Sequence, residues 1–582
     1  MRLIWLPELT LSQVADYTLS PLVIEAERPL RLKRWIRDSA GWSAVGDHIA
    51  ALLAQTEGVY LRDYGGQGSL KTLSIRGMGA PLTAVSVQGM PLRAPTLGLV
   101  NLAPFFLPGL HTVEYAPGGN LGLSPGAIGL LHLRWQPERH RSVGGWRVGS
   151  YGEISAYTLY ERPSLLLQAS ALSALNRYPF SQPERGLREG AEYRYLQATW
   201  AYRYRACQVT GWGYSSDQSI PPPVLGGAVG GPTEHLSQRT LIHTLEVPFP
   251  RGTLRFQHFT EAVDHRDAFQ QLSTSRLHTL QAQLQQEVRY KAIFSGYMLY
   301  LAGDWVRSNR TAVGFSPIPQ IAQYEGALIG FSHWQKRSAY LRGEARLTAL
   351  SRFRPLGSFL LRAGWHGIGM EIMQGVRFPS LWERYWVGYG NPTLPPERSI
   401  QAQAFVEKSG QVWRIYASVF VAQTRNRIVT IPLSPVRWQA YSLGYVESVG
   451  SEGRLEGYLG RLKVWISATT LSAKEYSFTQ GAVLPYTPPF MGGMGLIWTL
   501  KHWRILYQSQ YISWRTSSLA PSRYTLLNPY HLHAMNFVYI RGNWKIELGA
   551  ENVLSASYQV IQGYPMPPKL VYLRWEGLSN PR

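Results

Sequence analysis

Few residues in this chain stand in a spacing that does chemistry. GGQGSLKT (65–72) superficially carries the glycines, lysine and threonine of a phosphate loop. A phosphate loop needs Gly directly before Lys-Ser/Thr and a long helix after it. Here Leu70 precedes Lys71-Thr72, and Leu73, Ile75 and then Ala84-Val85-Ser86-Val87 read as strands at period two. His531 and His533 in YHLHAMNF share a strand face and could ligate a metal or haem iron, but no third ligand accompanies them. A structural or inward-facing role is the stronger reading, and no metal or cofactor is expected. Asp264-His265-Arg266-Asp267 reads as a polar loop. There is no GxSxG, no HExxH and no legible pair of acids, so an enzyme is not expected. The single cysteine, Cys207, excludes an intrachain disulfide and any CxxC site, and reads as packing.

The elements around these residues are more informative. The formal charge is +22, but Arg and Lys are scattered singly along the chain, and no nucleic-acid-binding motif accompanies them, so no nucleic-acid partner is expected. Charged residues make up only 16% and aromatics 12%, a balance too aromatic for disorder. No apolar run approaches the ~18 residues of a transmembrane helix. SSDQSIPPPVLGGAVGG (215–231) is rich in Pro and Gly and reads as an external loop.

From about residue 145 onward the signal is a repeated dyad. In TLQAQLQQEVRY (279–290), Leu280, Ala282, Leu284, Val288 and Tyr290 fall on one face, opposite Thr279, Gln281, Gln283, Gln285, Glu287 and Arg289. AYLRGEARLTA (339–349) and WKIELGAE (544–551) alternate in the same way, and WRIYASVFV (413–421) less cleanly. A soluble propeller or sandwich also alternates. These strands, however, approach the ~9–11 tilted residues that a bilayer demands. Their polar faces mix Arg, Glu and Gln, and Trp498, Trp503, Tyr507, Tyr511 and Trp514 crowd strand ends as interfacial girdles do. The expected fold is an all-β transmembrane barrel of about 22 antiparallel strands, with a lumen wide enough to need a plug. The first part of the chain supplies an α+β plug, giving an N-terminal segment 1–40, a plug 41–137 and a barrel 138–582.

The order of motifs resembles that of TonB-dependent outer-membrane transporters. DHIAALLAQTEGVYLR (47–62), GGQGSLKTLSIRGMGAPLTAVSVQGMPL (65–92) and LPGLHTVEYAPGGNLGLSPGAIGLLHL (107–133) resemble successive parts of the plug. GVRFPSLWERYW (375–386), GNPTLPPERS (390–399), LPYTPP (484–489) and ENVLSASYQVIQGYPMPP (551–568) resemble the barrel motifs. The spacing GG-x-G-x-L before Arg-Gly is most similar to the vitamin B12 (cobalamin) receptors, whose Gly-rich loop is a plug apex touching ligand. That implies Tyr64, Gln67 and Ser69 as ligand contacts on the first apex, and Arg93 and Thr96 on the second. The bland alternative is a tight plug turn. Glycine suits either, since it permits positive φ and close approach.

The resemblance also implies a charge cluster that seats the plug. Arg76-Gly77 and Gly89 match the family's positions, and of the two barrel glutamates that relatives turn to the plug arginines Glu456 is expected to keep one. Three departures stand out: Gln88 replaces the acid before Gly89, Tyr115-Ala116-Pro117-Gly118 replaces a second Arg-Gly, and Gln403 replaces a frequent Glu. Losing an Arg and a Glu together is electrostatically sensible, because an unpaired buried charge costs far more than removing both partners. The chain ends Leu578-Ser579-Asn580-Pro581-Arg582 where relatives end on an aromatic residue, so either the last strand ends at Trp575–Leu578 or insertion is recognised differently.

PLVIEAER (21–28) resembles the segment before the plug, making Leu22, Val23, Ile24, Glu25 and Ala26 the candidate Ton box. A Ton box would pair edge to edge with TonB by β-augmentation. MRLIWLPELTLSQ has one Arg and carries Pro7 and Glu8 inside a very short apolar patch, which is no secretory signal. An export signal upstream of the recorded start is therefore expected. The implied function is active import, across the bacterial outer membrane, of a scarce large ligand: cobalamin, a ferric siderophore or a haem-type chelate. The implied partners are the TonB-ExbB-ExbD complex and outer-membrane lipid. The competing reading is a passive porin-like or surface-binding barrel whose energised gating has decayed.

Overall fold

The computed structural model describes residues 33–36 and 48–579, apart from 94–99, 125, 127, 183, 225–232, 268–271, 311–319, 386–389, 435–436, 477–480 and 519–524. The candidate Ton box and Thr96 lie outside the described residues. From Arg141–Gly149 to Leu570–Ser579 the chain forms a closed antiparallel barrel of 22 strands, sealed where Leu578 pairs with Val143. The two-residue Ala482–Val483 pairs with Leu462–Glu475, as the following Phe490–Thr499 does, and so belongs to that strand.

The dyad pattern fixes which way each strand faces. Leu280, Val288 and Tyr290 are exposed, as are Leu341, Leu347, Ile546 and Leu548, whereas Thr279, Gln281, Gln283, Glu344, Arg346, Lys545 and Glu547 are buried. A barrel that exposes Leu and buries Gln, Arg and Glu is inverted relative to a water-soluble one, and its outer band is made for lipid. Trp498 and Trp503 mark one rim of that band, Tyr511 and Trp514 the other, all four exposed. At the first rim neighbouring strands join by tight turns, such as 163–164, 205–206 and 250–251. At the opposite rim the connections are long, as at 175–192, 378–396, 513–529 and 552–569.

Two segments read as loops from composition continue as strand. Ser215–Ile220 pairs with 234–239, and Asp264–Arg266 pairs with both neighbours. The cross-strand ion pair Arg276–Asp264, at 2.8 Å, and the hydrogen bond His265–Glu234, at 2.8 Å, extend the ladders past the apolar band.

The N-terminal unit contains α1 (Ile49–Leu53) and strands β1 (Lys33–Ile36), β2 (Val59–Asp63), β3 (Lys71–Ile75), β4 (Thr83–Val87), β5 (Met90–Pro91), β6 (Thr112–Pro117) and β7 (Gly129–Arg134). Sheet order is β1-β6-β7-β4-β5, with β2-β3 a separate hairpin. Its polar groups meet inward side chains from most of the barrel circumference: Gln88 with Thr210, Val87 with Gln257, Pro91 with Gln281, Arg93 with Asp304, Arg76 with Glu452 and Gln55 with Gln508. A body touched by so many inner faces lies inside the lumen and plugs it. Its last strand ends at Arg134, and the barrel begins at Arg141.

Gln88 shows why the expected acid is absent. It sits at φ 53° in the reverse turn between β4 and β5, and its amide donates to the Trp135 carbonyl at 2.7 Å and to Thr210 Oγ1 at 2.9 Å. A carboxylate has no hydrogen to give to that carbonyl. Gln88→Glu is therefore expected to destabilise the plug by about 1–3 kcal/mol, seen as faster amide exchange over 83–91. Unchanged exchange would show that the two donated bonds carry no weight.

Candidate functional site

Arg76 is the structural centre of the lumen. It is fully buried, and its guanidinium lies 2.6 Å from Glu452 Oε1. The same Nη2 donates to Gln403 Oε1 at 2.7 Å, and the guanidinium stacks 4.3 Å from the Phe420 ring. Ser418 and Tyr416 also donate to the Glu452 carboxylate, at 3.1 and 3.0 Å, and Ser448 donates to the Arg76 carbonyl at 2.7 Å. Burial alone would pull Arg76 down; Glu452 outweighs it, so the guanidinium stays above the ordinary arginine range. Gly58 joins the cluster from the other plug motif. A Cβ there would stand 2.1 Å from Glu452 Oε2, at φ +75°, while its N–H donates to Thr469 Oγ1. The EGV and IRG motifs of the sequence thus close on a single carboxylate.

That carboxylate is Glu452, which corrects the expectation of Glu456. The two residues share a strand face four positions apart, and the height of Arg76 in the lumen selects the upper one. Glu456 pairs instead with Arg454, at 2.6 Å, and with Lys463. Arg454 in turn reaches the Gln55 carbonyl of the plug at 3.2 Å. The missing second plug arginine is compensated within the barrel. Glu371 forms an ion pair with Arg362, and Gln403 bridges it to the plug by donating to Glu371 Oε1 at 3.0 Å and to the Pro117 carbonyl at 3.3 Å.

The second predicted apex is an anchor. Arg93 pairs with Asp304 at 2.6 Å and with Glu325, and Glu325 is shared with Arg346, which donates to the plug carbonyl of Leu121 at 2.7 Å. The first apex is docked as well. Asp63 Oδ1 accepts from Gly65 N–H and from the buried Ser69 hydroxyl, at 2.9 and 2.7 Å. Asn176 clasps the Gln67 backbone by two hydrogen bonds of 2.9 Å, and a Cβ on Gly68 would strike the Tyr193 ring at 2.1 Å. The glycines of 65–68 let this loop seat against the barrel. Among the predicted ligand contacts that are described, Tyr64 projects onto a shared surface, edge-on to Tyr564 at 5.2 Å.

Barrel motifs also meet in space. Ser380 and Glu383 cap each other's backbone at the start of the short helix Leu381–Tyr385. Arg377 then forks between Glu383, at 2.9 Å, and Glu397, at 2.6 Å. Glu397 also holds Arg427, which donates to the plug carbonyl of Met78 at 3.0 Å.

The feature missed by sequence reasoning lies along one face of β2. Tyr60, Arg62 and Tyr64 point toward the long loops, among Tyr486, Tyr530, Tyr558 and Tyr564. Arg62 lies 5.8 Å from the Tyr486 ring, Arg188 lies 5.4 Å from the Tyr564 ring, and Arg515 lies 4.8 Å from the Tyr530 ring. Arg515 donates to the Tyr60 hydroxyl at 2.9 Å, and Arg188 to the Pro222 carbonyl at 3.0 Å. None of the three arginines has a carboxylate partner among the described residues. Burial lowers the Arg62 guanidinium below its ordinary range, despite the tyrosines beside it. Arg515 is fully buried and also donates to the Asn528 and Gln559 carbonyls, which leaves Arg62 and Arg188 as the cations of this aromatic surface without such an anchor set.

The His531 and His533 rings lie 4.1 Å apart and bond to Ser509 and Tyr507, on the strand face opposite the buried Asn536. Among the described residues no group of three His, Cys, Asp or Glu is placed to hold a metal ion.

Removal of one partner from the seat should be severe. Glu452→Ala is expected to cost about 3–5 kcal/mol, because Arg76 is left buried and uncompensated. Arg76→Met combined with Glu452→Leu should recover most of that loss in denaturant melts of the refolded protein. A double variant as unstable as the single would show that the pair is not the seat.

Comparisons with known proteins agree with this architecture. Residues 350–553 match the family model described as TonB dependent receptor-like, beta-barrel. A search of curated proteins returns no match. Among solved structures, the copper transporter OprC superposes with a TM-score of 0.75 at 14% identity, covering 92% of this chain and 95% of that one. The siderophore receptor PirA from Acinetobacter baumannii gives 0.74 at 12% identity, covering 94% and 98%. The ferric citrate transporter FecA, unliganded, gives 0.73 at 12% identity, covering 94% and 96%. At these identities the likeness establishes the fold and leaves the ligand open.

Proposed function

From the match of residues 350–553 to the TonB dependent receptor-like barrel model, we propose that this chain is an outer-membrane receptor that actively imports a large anionic metal chelate. The observation that carries the reading is the pair Arg62 and Arg188, set among tyrosines beneath the long loops without a carboxylate partner among the described residues. Buried cations normally find an acidic partner in the protein; a ligand bearing carboxylate, catecholate or phosphate oxygens would supply one. Ferric citrate, a ferric siderophore and a haem-type chelate all meet that description. Cobalamin meets it less well, having one phosphate on a bulky body. The apex spacing that pointed to cobalamin is explained by docking of Gly68 on Tyr193.

Energy would enter at residues 19–28 through TonB, with ExbB and ExbD behind it. The retained Arg76–Glu452 seat supports an energised plug over a passive barrel, since a decayed gate would have no use for a buried ion pair. Tryptophan-quenching titrations of the refolded protein with ferric citrate, ferric enterobactin, haem, a copper salt and cyanocobalamin test the ligand class. Saturable quenching by an anionic iron chelate is expected, weakened about tenfold or more by Arg62→Met, the effect of losing one charge-assisted contact of ~1.5–3 kcal/mol. Binding by cyanocobalamin alone, unaffected by Arg62→Met, would overturn the assignment.

Deleting residues 19–28 should abolish uptake by whole cells and leave that quenching intact. Uptake indifferent to the deletion and to the proton gradient would instead support the passive, porin-like reading.

A further inference from the structure

The outer wall of the barrel carries an unbalanced charge at the long-loop edge of its lipid band. Arg398, on Glu397–Ser409, stands directly opposite Arg425, on Trp413–Ser434, and both side chains are exposed. They share the outward face with Ile400 and Val421, which these strands expose to lipid. Like charges directly opposite in a ladder repel. Neither guanidinium has a hydrogen bond or an ion pair among the described residues. Glu447 lies one row lower on the same face, opposite Gln423 and the exposed Lys474, and pairs with neither arginine. The three cations therefore outnumber the acid beside them.

Beneath the arginines the wall is low. Toward the membrane centre come Ala402 and Ala404 on one strand, Val421 and Val419 on the next, then Val449 and Ser451. Ser451 bonds Thr470 at 2.8 Å, so the hydroxyls of this stretch are turned to each other. Met370 and Ile372, opposite Ala404 and Ala402, are exposed and form a ridge along one side. Beside Arg425, Tyr445 stacks on Tyr476 at 5.2 Å, as rings do at headgroup level.

A phosphate would relieve the repulsion above, and an acyl chain would fill the relief below. The planar fork of arginine binds phosphate oxygens through paired N–H bonds, and two forks on one ladder rung can share a phosphate. Basic clusters at a membrane face hold anionic lipid by the same attraction. We propose that Arg398 and Arg425 bind the phosphate of a membrane lipid, in the leaflet on the long-loop side, with an acyl chain lying on the strip Ala402, Ala404, Val419 and Val421. The site faces lipid, outside the lumen, and does not depend on what the barrel imports.

The refolded full chain in neutral detergent is titrated with dioleoyl phosphatidic acid, dioleoylglycerol or sodium phosphate, and bound ligand is counted by native mass spectrometry. A saturable single adduct with phosphatidic acid is expected, with none from dioleoylglycerol and no displacement by sodium phosphate. Arg398→Gln with Arg425→Gln should weaken the adduct about tenfold or more, the scale of one lost charge-assisted bond. Lys408→Gln with Arg461→Gln removes the same charge from exposed positions at the short-turn rim and should leave it unchanged.

No adduct with the wild-type chain, or one that survives loss of both arginines, would overturn the site. Equal weakening by the two double variants would reduce it to general charge attraction and overturn it as well. Displacement by sodium phosphate would make the occupant a free anion and sink the lipid. Ala402→Trp, which raises the wall under the phosphate, should weaken phosphatidic acid roughly tenfold, about the effect of two acyl CH₂ groups lifted from the surface. Wild-type affinity in Ala402→Trp would overturn the acyl strip, and this variant decides the proposal if the double arginine variant fails to refold.

Discussion

A buried arginine facing one carboxylate organises this molecule. Arg76 and Glu452 are both shielded from solvent, so neither charge has water to fall back on. In such surroundings the pair is strongly self-enforcing: each group is tolerable only while the other is in place. Geometry reinforces the chemistry. Arg76 itself adopts φ +50°, a conformation uncommon for a side-chain-bearing residue, and Gly58 must lack a Cβ for the carboxylate to fit. Barrel serines, a tyrosine and Gln403 add hydrogen bonds to the cluster, and Arg76 Nη1 is left without one. The plug is thereby registered to one height and one side of the lumen, and the other contacts follow from that position.

Much of this was legible in the sequence, and the illegible part has a physical reason. Period-two alternation sorted Leu280 outward and Gln281 inward because the lipid band and the wet lumen impose opposite chemistry on successive residues. Arg76-Gly77 marked the seat because its types and order are demanding. The partner escaped, since Glu452 and Glu456 lie on one strand face and only the depth of the plug distinguishes them. Ser69 and Arg93 looked like ligand contacts because an apex loop normally bares its polar groups; here Asp63, Asp304 and Glu325 occupy them. Arg62 was invisible for the converse reason. Its interest lies in having no carboxylate partner among the described residues, and that is a property of the assembled lumen. Gln88 was noted only as a lost acid, although its amide hydrogens are what the turn uses.

The ionic contacts around the seat link it to the long-loop rim. They run from Arg76–Glu452 through Arg427–Glu397 to Arg377 and the capped helix at Leu381–Tyr385, so the long-loop rim and the plug share one ionic network. Across the lumen the plug is held by hydrogen bonds and rings: Asn176 clasps Gln67, Gln88 bonds Thr210, Gln257 bonds the Val87 carbonyl, and Phe106 and His48 lie against Tyr157 and Tyr195.

The most direct test of the seat is conductance. Wild-type protein reconstituted in a planar bilayer is predicted to be closed at moderate voltage, since the plug fills the lumen. Glu452→Gln, which removes the charge and keeps the shape, is predicted to produce discrete openings, suppressed again when Arg76→Met is added. A Glu452→Gln protein as tight as wild type would contradict the claim that this one pair holds the plug in place.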